Sequence, residues 1–400
     1  MSKRVVVTGI GCVSSLGDSV KEMEQNLTMG RSGYREIPAD RFPTDHKLYR
    51  SHSGFLIKDE LYRSAGKDCT RMLPLARKSI DEALSDSKWS REDLGKERVG
   101  MCLGTSVGAS YVVMGRIHKL LDTGADDFDA GRYLTPILIG NIARTYGVNG
   151  TVCSISTACA SGTNAIGRAA DLIRDGREDV VICGGIDIFT ELTYSGFNSL
   201  MAISKNKCHP LTVNRDGMSF GDACAILILE SYDSALRRGA PIYGEIKGYC
   251  TLNEAYHATA PKPDGEFACK CMRNALTDAG LDISDVDYVN SHGTGTVKND
   301  TAEICGLETL FAGKADKTLV NSTKGLTGHC LGAAGSIEAI ICLLSIRNRT
   351  VYADDNGLPY PDSEKLDFVA KNRPDVDIRV AVSNSFGFGG NMASIVISKI

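Results

Sequence analysis

The chain lacks several signatures that would have placed it quickly. It has no CxxC pair, no P-loop and no HExxH, and Gly9-Ile-Gly11 is only a fragment of a dinucleotide fingerprint, since Ser14 stands where the third glycine belongs. Nucleotide binding and zinc modules are therefore disfavoured, and no metal ligand set is expected. No stretch approaches the roughly 18 uninterrupted apolar residues of a membrane span, so membrane insertion is not expected. Aromatics are few at 6%, and the net charge is only −4, which gives no footing for nucleic acid or an anionic membrane. There is no low-complexity tract and no Ser/Gly linker, so any two units should share an interface rather than swing freely.

What is present is glycine and cysteine. The 42 glycines come in clusters, as expected where the backbone makes tight turns or approaches a site closely. The 14 cysteines are spread through apolar segments of a long chain, unlike a secreted disulfide scaffold. Most read as small buried hydrophobes of a reducing compartment, and a cytoplasmic location is expected. The N-terminal Val5–Gly11 run is too short and too punctuated by glycine for a leader, and reads as a buried first strand.

Val/Ile-rich runs at 5–10, 98–104, 179–185 and 223–230 alternate with amphipathic segments at 74–86, 271–280 and 336–349. This alternation predicts an α/β fold with helices on both sheet faces. Residues 152–185 and 318–351 share one layout of strand, small-residue loop, helix and turn, which suggests two duplicated halves, 1–245 and 246–400.

Four motifs carry chemistry. In Ser156-Thr-Ala-Cys-Ala-Ser-Gly162, Cys159 stands at a strand-to-helix turn, where unpaired amides and the helix dipole favour a thiolate. In Val289-Asn-Ser-His-Gly-Thr-Gly-Thr296, His292 ends a strand and is followed by two hydroxyls. In the segment 321–335, Lys324 and His329 lie five apart before an Ala/Gly-rich helix. An ammonium beside His329 would keep it neutral, and Glu338, on the helix that follows, could pair with Lys324. Cys330, beside His329, is a rival nucleophile that would lie one step into its helix, as Ala160 does. Finally, Asn384-Ser-Phe-Gly-Phe-Gly-Gly390 offers Phe386 and Phe388 to an apolar channel. Taken singly, each also has an ordinary reading, as a buried thiol, a turn histidine, a salt bridge or a glycine-rich turn.

One Cys, two His, a Lys and a Gly-Phe-Gly-Gly loop, in this order, resemble the condensing enzymes of the thiolase superfamily. The chain is most similar to the elongating β-ketoacyl-acyl-carrier-protein synthases, and the match runs almost its whole length. The resemblance implies a five-layered αβαβα core and a homodimer. It implies that Cys159 accepts an acyl group from acyl-carrier protein. His292 and His329 would promote decarboxylation of a malonyl thioester, with Lys324 supporting His329 and Glu338 behind it. The amides of Cys159 and Phe388 would form the oxyanion hole, with Phe388 as gate and Phe386 beside it. Thr294 and Thr296 would bond the phosphopantetheine arm, and Val107 would line the acyl pocket. No cofactor is implied.

The sequence departs from the relatives at Met218-Ser-Phe-Gly-Asp-Ala-Cys224, at Asn391-Met392 and in a short 198–214 stretch. These leave open whether the acyl chain is fatty, polyene or polyketide. Lys67, Arg71, Arg77, Lys205 and Lys207 are candidates for meeting an acidic carrier. A thiolase would carry a second Cys where Phe386-Gly-Phe388 stands, an initiating synthase would use Cys, His and Asn, and a non-catalytic chain-length partner would lack Cys159.

Overall fold

The computed structural model describes residues 3–39, 41, 48–64, 71–124, 134–355 and 357–400. The strand-like runs of the sequence become strands β1 (Val5–Ser14), β4 (Val99–Gly104), β5 (Val152–Ile155), β6 (Val180–Asp187) and β7 (Ala223–Ser231). A small hairpin of β2 (Tyr34–Glu36) and β3 (Ser53–Phe55) sits apart. The second half supplies β8 (Gly244–Asn253), β9 (Tyr288–Asn290), β10 (Thr318–Asn321), β11 (Leu366–Phe368), β12 (Val380–Gly387) and β13 (Asn391–Ser398).

The strand order exposes the duplication. One half reads β5-β4-β6-β7-β1 and the other β10-β9-β12-β13-β8, with β11 added at the edge. Parallel and antiparallel pairings correspond at every step, and the two strand sets join edge to edge through two residue pairs of β1 and β8. The junction runs through 239–243, so the expected break after residue 245 falls two residues inside β8. The sequence match of 318–351 to 152–185 is also incomplete. Val351 makes an isolated bridge, and the true counterpart of β6 is β12, 29 residues further on.

Five layers result. Helices Met72–Asp86 and Thr135–Thr145 pack outside the first half's strands, and Glu266–Ala279 and Val297–Phe311 outside the second's. Helices Ser161–Arg174 and Ala334–Asn348 form the middle layer, in one apolar cluster with strands of both halves. Ala334–Asn348 is buried on all sides through Ile346, as its uniformly apolar sequence requires. The run Leu331–Asn348 is long and apolar enough to cross a membrane, but 89% of it lies inside this core.

The two middle helices touch through glycine. A Cβ on Gly162 would come within 2.4 Å of Ser336 Oγ, and one on Gly335 within 1.9 Å of Thr163 Oγ1. These contacts are reciprocal, 162 with 336 and 163 with 335, as a pseudo-twofold axis between the helices demands. Ala158 and Leu331, each three residues before its helix, both take positive φ, +50° and +52°. This alignment sets Gly332 opposite Cys159 and Cys330 opposite Thr157, which corrects the pairing of Cys330 with Ala160.

Candidate active site

Cys159 lies two residues before helix Ser161–Arg174, held over its open end. Ser161 Oγ accepts from the Thr157 amide at 2.9 Å and donates to the Ala158 carbonyl at 2.6 Å, tying the turn to the helix. Ala158 carries the left-handed φ that aims the sulfur, a strain of about 1–3 kcal/mol borne by these bonds. From the other half, the Gly387–Gly390 loop closes over the thiol. A side chain at Gly387 would meet the Cys159 nitrogen at 2.9 Å, so only glycine admits this approach.

His329 and His292 complete the centre. His329 Nε2 is 3.0 Å from Cys159 Sγ, and the two imidazole rings are 5.3 Å apart and nearly perpendicular. Proton bookkeeping fixes what each ring presents. His329 Nδ1 accepts the Leu331 amide at 3.1 Å. His292 Nδ1 faces the Lys324 ammonium at 3.3 Å, which can only donate. Burial and the Lys324 charge hold both histidines well below their ordinary range, and both are therefore neutral. A neutral imidazole whose Nδ1 accepts must carry its proton on Nε2, so both rings aim an N–H into the cleft.

That result also decides how to read the cluster's ligand-like geometry. The sulfur and one nitrogen of each histidine lie within 4.8 Å of one another, a spacing that suits a metal. With both inward nitrogens protonated, the centre instead favours a negatively charged oxygen.

Lys324 does not sit where the sequence suggested. It follows β10, the neighbour of β9, and β9 leads into His292. Its ammonium donates to the His292 carbonyl and to Glu338 Oε1, each at 2.5 Å, and faces His292 Nδ1. It is therefore the direct partner of His292, not of His329, and reaches His329 only through its field. Glu338 is fully buried, and burial lifts its carboxyl to about 7 against the pull of Lys324.

The helix-start argument for a thiolate is likewise outweighed. Burial pushes the Cys159 thiol up to about 12, while Lys324 and the amides of Cys159 and Phe388 pull the other way. Those two amides point at the sulfur. Cys330 is fully buried, its thiol turned to the carbonyls of Thr327 and Gly328 and raised well above the ordinary range.

A cleft of about 300 Å³ joins Cys159, His292 and His329 to Thr294, Thr296, Phe386 and Phe388. Thr294 and Thr296 share a hydrogen bond at 2.9 Å, and Phe386 lies 6.0 Å from the His292 ring. Phe388 stacks on Phe197 at 4.9 Å. Val107 is not on the walls of this cleft. It packs with the cluster of Phe189, Tyr194 and Phe220. Of the basic candidates for a partner surface, Arg71 stacks over Tyr62, Lys207 pairs with Asp354 at 2.6 Å, and Lys67 lies outside the described residues.

Sequence reasoning missed three buried carboxylates that frame the site. Glu303 accepts the amides of His292 and Gly293, both at 2.8 Å. Asp300 accepts those of Thr294 and Leu211 at 2.9 and 2.7 Å. Asp187 ties the loop after β4 to the turn after His329. The spacing of Asp300 and Glu303 was the available signal, since it puts two acids on one buried helix face.

A duplicated five-layered fold with a Cys–His–His centre at the seam of its halves defines a condensing enzyme of the thiolase-like class. Residues 2–235 match the family described as Beta-ketoacyl synthase, N-terminal domain, and residues 243–356 its C-terminal domain. The chain is 36% identical over 411 residues to 3-oxoacyl-[acyl-carrier-protein] synthase 2 of Staphylococcus aureus (strain N315), covering 100% of this chain and 99% of that protein. It is 37% identical over 415 residues to the Synechocystis sp. protein of the same name, covering 99% and 98%. Among solved structures, one of a type II PKS acyl-carrier protein in complex with its ketosynthase superimposes with a TM-score of 0.91 at 29% identity. The ishigamide ketosynthase/chain length factor gives 0.90 at 30%, and both matches cover each chain fully. The chain belongs to the β-ketoacyl synthase family and is a condensing acyltransferase.

Proposed function

We propose that this enzyme extends an acyl chain by two carbons through decarboxylative condensation with malonyl-acyl-carrier protein, Cys159 being the nucleophile. The observation that carries this reading is that one ring nitrogen of each of His292 and His329 converges with Cys159 Sγ, all within 4.8 Å of one another, in one buried cleft. The sulfur attacks the acyl thioester, its carbonyl oxygen is held by the amides of Cys159 and Phe388, and the carrier thiol leaves with the proton. A malonyl thioester then enters, with Thr294 and Thr296 bonding the amides of its phosphopantetheine arm. Its carbonyl oxygen accepts from His292 and His329. As the carbon–carbon bond to the carboxylate breaks, the electron pair becomes an enolate on that oxygen, and CO2 departs. Each donor at such a charge is worth about 2.7–4 kcal/mol. The enolate carbon attacks the acyl-Cys159 carbonyl, and collapse expels the thiolate. Phe388 must leave Phe197 for an acyl chain to pass, and Phe386 walls the His292 side.

Lys324 orients His292 and neutralises Glu338. The chemistry calls for no metal or cofactor, and the reading includes a homodimer working in the cytoplasm with acyl-carrier protein as partner. The test is peptide mass spectrometry after incubation with acyl-carrier proteins loaded with two- to sixteen-carbon chains, saturated and polyene. The acyl mass should sit on the Cys159 peptide and disappear in Cys159→Ser. An acyl group on another cysteine would refute the assignment.

A further inference from the structure

Asp187, the last residue of β6, is a fully buried carboxylate with four donors on it and no part in the steps above. Its Oδ1 accepts from Thr105 Oγ1 at 2.5 Å and from the Val107 amide at 3.3 Å. Its Oδ2 accepts from the Ser106 amide at 2.7 Å and from the Gly332 amide at 2.6 Å. Three of these donors belong to the loop after β4, in the nucleophile's half. The fourth belongs to the other half, in the turn that follows His329.

That turn needs an anchor. Leu331 is held at φ +52°, a conformation unfavourable for a branched side chain, and its amide is the donor that occupies His329 Nδ1. On one side of Leu331 the turn is fixed by the imidazole itself, and on the other by Gly332 on Asp187. Space enforces the contact, because a Cβ at Gly332 would lie 2.5 Å from the Ser106 amide nitrogen and 2.6 Å from Asp187 Oδ2.

We propose that Asp187 is a positioning residue, which by anchoring the Leu331–Gly332 turn across the seam of the two halves holds His329 with Nε2–H toward the reacting oxygen. This rests on the role proposed for His329. The same carboxylate opposes ionisation of Cys159, so its removal should move the two functions in opposite directions.

Asp187→Asn preserves shape and keeps one acceptor oxygen. Asp187→Ala removes all four bonds, and if it does not fold, as thermal melting will tell, Asp187→Asn carries the test alone. Three readouts apply to the full-length enzyme. The kcat for CO2 release from malonyl-acyl-carrier protein should fall at least about tenfold, the weight of one buried charged hydrogen bond, with KM little changed. The rate of Cys159 alkylation by iodoacetamide should rise. The 15N spectrum of labelled histidine should show His329 as the Nε2–H form in the wild type and lose that signature in the variant. Parallel loss of CO2 release and alkylation, or CO2 release within twofold of wild type, would overturn the proposal. If the wild type releases no CO2, the functional reading fails, and the nitrogen spectrum still decides whether Asp187 sets the tautomer.

Discussion

His292 and His329 look alike in the sequence, each a histidine beside glycine, yet different groups fix them. A backbone amide occupies Nδ1 of one and an ammonium that of the other. The motifs made both histidines and Cys159 legible because they stand at strand ends and helix starts. They did not reveal that Lys324 serves His292, because the neighbouring of β9 and β10 is a tertiary fact. Lys324→Met should cost about 3–5 kcal/mol by stranding a buried carboxylate. Burial raises Glu338 above its unfolded value, so ionising it penalises the fold as pH climbs through about 7. Without Lys324 the Glu338 carboxyl rises further, so the deficit, measured by urea unfolding, should grow as pH climbs above about 7 and be smaller below it. A deficit unchanged between pH 5 and pH 8 would show that the ion pair is not its cause. Thiol reactivity gives a second test. Cys153 is partly exposed on β5, with its thiol pulled down by the Cys102 hydrogen bond and by Arg168, whereas burial lifts Cys159. Iodoacetamide near neutral pH should mark Cys153 before Cys159, and labelling of Cys159 should keep rising with pH through 9. Early labelling that plateaus below pH 8 would contradict this order.

At the level of elements, the middle helices are the parts most visible in the sequence and the least forgiving. Their small residues announced close packing, and the reciprocal contacts of Gly162 and Gly335 are its realisation. Gly335→Ala gains helix propensity of about 1 kcal/mol but forces a methyl group onto Thr163. Overpacking of this kind costs about 1–3 kcal/mol, and because Thr163 lies on the helix that presents Cys159, acyl transfer should fall as well. Calorimetry and acyl-enzyme mass together check it, and a more stable, fully active variant would contradict the packing. The carboxylates Asp187, Asp300 and Glu303 escaped notice because an acid that accepts backbone amides has no fixed partner residue type. Its donors come from whichever loops the topology brings near.

For the whole molecule, the duplicated layout was legible, whereas the strand order and the counterpart of β6 were not, since 29 residues separate β12 from the apparent repeat. One apolar cluster draws on both halves, with a helix from each at its centre. Heating should therefore give one cooperative transition, and two separated endotherms would mean independent halves. The catalytic account also depends on both halves, because one provides the sulfur and the other both imidazoles. The most direct measurement is single-turnover CO2 release from malonyl-acyl-carrier protein by wild type and His329→Ala, with acyl loading of Cys159 followed by intact mass. Loss of one enolate donor should slow CO2 release by about 10²–10³-fold while Cys159 still accepts an acyl group. CO2 release at the wild-type rate from His329→Ala would contradict the claim that this imidazole stabilises the enolate.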